Sequence, residues 1–129
     1  MSALQGHAEG DSVEAVVFLE IAGNGVVVSA GTDGKACVWD VTTSRLRATL
    51  KHEQAITSLR LHPAPLAHLI TTGSVDATLK TWDVRNGAEL AHHTGNRGII
   101  NGFDVGRGKE GRAVVISAGD DGASLIWEI

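Results

Sequence analysis

One pattern of residue types recurs along the chain: a Ser or Thr, an Asp four residues later, and a Trp six residues after that. The sets are Ser29/Asp33/Trp39, Thr72/Asp76/Trp82 and Ser117/Asp121/Trp127. Successive Trp residues stand 43 and 45 residues apart in a chain of 129. A unit of that length cannot bury its own apolar face, so a chain repeating it must stack like-shaped units against one another.

The strand signals keep the same order in each copy. Val13 to Leu19, Ile56 to Leu61 and Ile100 to Val105 are β-branched or alternating segments that open the repeats. From Val13, Ile56 and Ile100 to the later hydroxyl residue the gap is 16, 16 and 17 residues. Val26–Ala30, Leu69–Gly73 and Val114–Ala118 are short apolar runs, as strands buried on both faces would be. Ala36–Val41, Thr78–Val84 and Ser124–Ile129 follow through turns carrying Thr32-Asp33-Gly34, Val75-Asp76-Ala77 and Asp120-Asp121-Gly122. Asp and Gly suit such turns by tolerating positive φ and bonding nearby backbone. Leu46–Leu50 and Glu89–His92 read as more polar outer strands. No counterpart follows the third copy, and the residues before His7 could supply one. Arg107–Arg112 reads as a solvated surface hairpin.

The expected fold is all-β, a partial β-propeller of three blades. Each blade is an antiparallel four-stranded sheet, the last lacking its outer strand. The chain reads as one unit over 1–129, with repeats near 6–50, 51–93 and 94–129.

Composition narrows the function. Gly is abundant while Pro and aromatics are scarce, which argues against disorder and against a disulfide scaffold. A net charge of −4, with Lys and Arg scattered, offers no footprint for nucleic acid. No long apolar run or secretory signal is present, so a soluble protein of the cytoplasm, with the nucleus also open to it, is expected. The single Cys37 lies in an apolar segment and reads as a small buried hydrophobe.

The stretch Thr72-Gly73-Ser74-Val75-Asp76-Ala77-Thr78-Leu79-Lys80-Thr81-Trp82-Asp83 resembles the WD40 repeat consensus, and the resemblance covers the chain from end to end. It implies a hydrogen-bonded relay in each blade from His, Ser or Thr, Asp and Trp. The matching positions are His7/Ser29/Asp33/Trp39 and His52/Thr72/Asp76/Trp82. In the third copy Asn96 stands in the His position beside Ser117/Asp121/Trp127. His7 lies six residues before Val13 where His52 lies four before Ile56, an insertion around Glu9-Gly10-Asp11 able to displace the first His.

Ser, His and Asp in one repeat also match a hydrolase constellation. Catalytic groups need not recur in every repeat, whereas groups that join each sheet's strands must, so the structural role is preferred. There is no nucleophile elbow, phosphate-cradling loop or paired-Cys spacing, and no enzyme activity, cofactor or metal is expected. His92 and His93 point to opposite faces of a strand, which suits one packed and one solvated imidazole. His62-Pro63 reads as a turn, and Asp120 as a solvated turn residue.

Three blades do not close a propeller, which takes about 4–8. The chain is therefore expected to be a segment of a longer propeller, an abbreviated product, or a unit that associates head-to-tail with copies of itself. The segments Asp11–Phe18, Leu46-Arg47 with Lys51–Gln54, and Ile99–Val105 are similar to the last three blades of the angio-associated migratory cell protein family. Fungal relatives of that family are dedicated chaperones of a large-subunit ribosomal protein. That likeness implies a basic ribosomal protein as partner, held by acidic loops. The WD40 resemblance implies a noncatalytic scaffold that binds a protein or peptide on its narrow rim. The rim positions are Asp11, Ser12, Thr32, Gln54, Val75, Arg97 and Asp120.

Overall fold

Eleven strands in three separate antiparallel sheets make up the computed structural model, which describes residues 4–94, 100–119 and 124–128. The first sheet runs β1 (Val13–Ile21), β2 (Asn24–Gly31), β3 (Lys35–Asp40) and β4 (Arg45–Lys51) in sequence order. The second runs β5 (Ile56–Leu61), β6 (Leu69–Ser74), β7 (Leu79–Asp83) and β8 (Ala88–His93). The third contains β9 (Ile100–Arg107), β10 (Ala113–Gly119) and β11 (Ser124–Glu128), with β10 central. Neighbouring strands in sequence are neighbours in space, as tight hairpins require.

The strand registers repeat as faithfully as the sequence. Val27 opposes Trp39, Ile70 opposes Trp82 and Val115 opposes Trp127. Val16 opposes Ser29, Leu59 opposes Thr72 and Phe103 opposes Ser117. Because side chains alternate across a strand, the hydroxyl and indole of each set share one face of their sheet.

Two apolar layers join the sheets. Leu19, Val26, Val28, Ala30, Ala36, Val38 and Leu50 of the first sheet pack with Ile56, Leu59, Ile70, Trp82 and Val84 of the second. Leu79 of the second packs with Ile100, Phe103 and Val115 of the third, and Val105 and Trp127 flank them. Among the described residues only the middle sheet has sheets packed on both faces, and β6 is buried at every residue. In β2 and β10 the apolar runs alternate between buried and more exposed positions. That corrects the expectation of strands buried on both faces, which holds for a sheet with two neighbours. Cys37 is fully buried.

The loop expected at Arg107–Arg112 is shorter than its sequence suggests, since β9 extends to Arg107 and a single 3-10 turn spans Lys109–Gly111. In the turns before the Trp strands, Gly34 has φ +79° and Ala77 has φ +70°. The left-handed region suits Gly and costs an Ala about 1–2 kcal/mol, part of which the stiffer unfolded chain returns. Ala77→Gly is therefore expected to stabilise the fold by about 0.5–1 kcal/mol in urea unfolding.

Candidate functional site

At one end of each of the first two sheets the recurring polar residues meet. In the first, His7 Nε2 lies 2.8 Å from Ser29 Oγ, and the Trp39 indole N–H donates to the same oxygen at 3.1 Å. His7 Nδ1 lies 3.1 Å from Asp33 Oδ2, and the backbone N–H groups of Ala8 and Lys35 donate to the Asp33 carboxylate at 2.8 and 3.1 Å. The second sheet repeats the set: His52 Nε2 to Thr72 Oγ1 at 2.5 Å, Trp82 Nε1 to Thr72 Oγ1 at 3.0 Å, and His52 Nδ1 to Asp76 Oδ2 at 3.5 Å. The Asp76 carboxylate also accepts from the Thr78 backbone N–H and hydroxyl.

Proton counting orders the chain of bonds. The hydroxyl oxygen accepts from the indole, so its one hydrogen is free for the imidazole Nε2, and the Nδ1–H faces the carboxylate. Each hydroxyl thereby spends its hydrogen and a lone pair inside its own sheet. Burial pushes the Asp33 carboxyl upward, but the Ala8 N–H, His7 and the Lys35 N–H outweigh it and hold it below the ordinary range. Burial likewise raises Asp76, and the two Thr78 donors with His52 bring it below that range. Burial lowers the His52 imidazole more than Asp76 raises it, in keeping with a neutral ring.

The insertion after His7 does not displace it. A turn closed by the Asp11 N–H on the Ala8 carbonyl at 3.2 Å, with Gly10 at φ +88°, takes up the extra residues. Of the third set, Ser117 is buried and Trp127 lies with its ring 5.0 Å from that of His93. Asn96, Arg97, Asp120 and Asp121 lie outside the described residues.

The rim positions gather beside the relays. Asp11, Ser12 and Thr32 form one cluster: the Thr32 hydroxyl donates to Asp11 Oδ1 at 3.0 Å and accepts from the Ser12 N–H at 3.0 Å. The Thr32 N–H bonds the Ser12 carbonyl at 2.9 Å, and the Val75 N–H repeats that bond on Ala55 at 3.1 Å. Gln54 is exposed next to Ala55, its carbonyl accepting from the Ser74 hydroxyl at 3.2 Å. The rims of the two sheets touch, since the His52 N–H donates to the Gly34 carbonyl at 2.8 Å and a Cβ at Gly34 would lie 3.0 Å from the His52 and Gln54 carbonyls. Away from the rim, the innermost strands β1, β5 and β9 line a groove of about 430 Å³ that holds Val16, Arg60, Leu61, Pro63 and Asp104.

A second polar chain was not foreseen from the sequence. On the opposite face of the middle sheet, His62 Nε2 lies 2.7 Å from Thr71 Oγ1, which lies 2.8 Å from Thr81 Oγ1, which lies 3.1 Å from His93 Nε2. All four residues are buried. His62 is thus a core residue and not merely part of a turn, which begins at Pro63. Its burial drives the imidazole down to about 4, and His62 Nδ1 has no hydrogen-bond partner among the described residues. Burial and the neighbouring His92 lower His93 as well, while His92 itself faces solvent. The signal was present: two adjacent Thr on a strand put hydroxyls on both faces, and only one face belonged to the repeat.

Comparison with known proteins decides the family. The model for the WD domain, G-beta repeat, matches residues 1–40 and 44–83. The chain belongs to the WD40 repeat family. Three of its relatives are an uncharacterized WD repeat-containing protein of Schizosaccharomyces pombe, the angio-associated migratory cell protein of Homo sapiens, and the small ribosomal subunit protein RACK1y of Oryza sativa. The first is 27% identical over 94% of this chain and 29% of its own length. The second is 30% identical over 92% and 26%, and the third is 28% identical over 60% and 22%. The chain thus spans less than a third of each of these relatives. Among solved structures, the computationally designed Ika8 protein superposes with a TM-score of 0.66 and 30% identity over 81% of this chain and 30% of its own. Saccharomyces cerevisiae Sqt1 superposes with 0.72 at 20% identity over 81% and 28%, a likeness of fold. Each sheet is therefore a WD40 blade.

Proposed function

We propose that the chain is a noncatalytic scaffold whose blades hold rim loops rigid for a protein or peptide partner. The observation that carries this is the division of labour at the rim. The relay's hydroxyl, imidazole and carboxylate are committed to one another, so none is free to act as a nucleophile or base on a substrate. Beside them Asp11, Ser12 and Gln54 are exposed on loops pinned by backbone bonds. Pre-set loops lose little entropy on binding, which favours recognition.

A basic partner is the sharper form of this reading; the resemblance to the angio-associated migratory cell protein family, whose fungal relatives are ribosomal-protein chaperones, supports a ribosomal one. Glu9, Asp11, Glu14 and Glu53 are exposed carboxylates on or beside the rim, in a chain of net charge −4. A Lys/Arg-rich ribosomal-protein tail is expected to bind saturably in titration calorimetry at low salt and to weaken as salt rises. Asp11→Asn with Glu53→Gln should weaken it further while leaving the unfolding midpoint unchanged. Absence of binding at low salt removes the basic partner, and binding that ignores both carboxylates removes the rim as its site.

A further inference from the structure

The two seams between neighbouring blades share one backbone plan and have opposite chemistry. On the face of the first blade turned to the second, Leu19, Val28, Val38 and Leu50 form a row with one residue on each strand, and they are 4%, 0%, 0% and 1% exposed. Strand register makes His62, Thr71, Thr81 and His93 their counterparts on the face of the second blade turned to the third. Val28 opposes Val38 as Thr71 opposes Thr81, and Leu50 opposes Ala36 as His93 opposes Leu79. Leu19 and His62 each stand three residues beyond Val16 and Leu59, which oppose Ser29 and Thr72. The polar four are 1%, 0%, 0% and 5% exposed, so they are buried as deeply as the aliphatic four. Leu79 on the same face packs with Ile100, Phe103 and Val115 of the third blade, and the Trp127 ring lies 5.0 Å from that of His93.

The polar row has three gaps, and each takes one hydrogen. The two hydroxyls supply two, so one imidazole presents an Nε2–H and the other a bare Nε2. His62 Nδ1 is buried with no hydrogen-bond partner among the described residues, and an orphaned acceptor is less costly there than an orphaned N–H. The His62 hydrogen therefore sits on Nε2, donation runs from His62 to Thr71 to Thr81, and His93 Nε2 accepts. That arrangement holds only while both rings are neutral. A proton on His93 Nε2 puts a fourth hydrogen into three gaps, and a proton on His62 Nδ1 buries a charged donor without an acceptor. Among the described residues neither ring has a carboxylate at ion-pair distance, whereas His52 in the relay keeps Asp76 at 3.5 Å. Of the charged residues on the strands around the seam, Arg60, Glu89, His92, Asp104, Arg107 and Glu128 are exposed, while Lys80 pairs with Glu89 and Asp83 with Arg85. His92 opposes a charge on His93, and His93 opposes one on His62. We propose that this seam is an acid-operated joint: protons taken up by His62 and His93 break the row and part the third blade from the second, while the aliphatic seam beside it stays closed. Opening returns His62 from about 4 to the ordinary 6.5, so the open form binds the extra proton and a fall from pH 7 to pH 5 raises the opening constant about 20-fold through His62 alone. The joint is independent of the rim-binding reading, which its failure leaves untouched.

Trapping of a buried thiol reads the opening of each seam in the whole chain. In a Cys37→Ala background, Val115→Cys places a thiol in the second seam and Ile70→Cys places one at the equivalent point of the first, since each residue is fully buried and opposes the Trp of its own blade. Reaction with 4,4′-dithiodipyridine, divided by the rate for the urea-unfolded chain at the same pH, gives each opening constant. From pH 7 to pH 5 the second seam should open about 20-fold more or beyond, and the first less than about fivefold. Exchanging the row for the residue types of the first seam, by His62→Leu, Thr71→Val, Thr81→Val and His93→Leu together, should abolish the difference. His62→Gln with His93→Gln, which bond without titrating, serve should that exchange fail to fold. Should a thiol variant fail to fold, fluorine NMR of the 5-fluorotryptophan-labelled chain reads the same contrast as solvent exposure of Trp127 against Trp82. Equal rises in the two seams, a second seam indifferent to pH, or a rise that survives the exchange of the row would overturn the joint.

Discussion

Thr72→Val is expected to lower stability by about 2–6 kcal/mol in urea unfolding near neutral pH. The substitution conserves shape but strands two buried groups at once, the Trp82 indole N–H and His52 Nε2. Each stranded group costs about 1–3 kcal/mol, against a total stability of about 5–15 kcal/mol for a domain. Ser29→Ala in the first blade should cost less, about 1 kcal/mol, because Ser29 is only half-buried and water can reach the groups it leaves. Equal costs at the two sites would mean that burial does not set the value of the relay. A loss below about 0.5 kcal/mol for Thr72→Val would mean that the relay bonds contribute little.

Acid should unfold the protein chiefly through its buried imidazoles. His62 titrates near 6.5 when unfolded and at about 4 when folded, so between these values the unfolded chain binds the extra proton. Stability is therefore full above pH 6.5 and falls as pH drops toward 4, by about 3 kcal/mol from His62 alone. His52 and His93 are lowered too and add loss in the same direction. Asp33 and Asp76, held below the ordinary carboxylate range, extend the loss below pH 4. His62→Leu removes a titrating group, and its stability curve should be flatter than that of the wild type by about one proton between pH 6.5 and 4. An unchanged slope would place the acid sensitivity elsewhere.

The spacing of the Ser or Thr, Asp and Trp residues made the three sheets legible before any coordinates, because each residue type has one position in the repeat where its chemistry is needed. Strand order follows from that spacing, and the pairing of Trp39 and Trp82 with their hydroxyl partners is what the WD40 resemblance implies. Less visible was anything the repeat does not share. The chain His62–Thr71–Thr81–His93 belongs to one blade only, and a His-Pro pair gives no hint that its imidazole turns inward. The tolerance of the insertion after His7 was equally hidden, since it depends on Gly10 closing a turn at positive φ. Rim residues were legible as loops, but the bonds that tie Asp11 and Ser12 to Thr32 come from side chains meeting across 20 residues or more.

A double-mutant cycle between Thr72→Val and Trp82→Phe, read by urea unfolding, tests most directly whether the recurring polar groups are internal struts of each blade. The account predicts a coupling of about 1 kcal/mol or more within the blade, with Thr72→Val and Trp39→Phe additive to within about 0.5 kcal/mol. Additivity inside the blade, or equal coupling across blades, would contradict it.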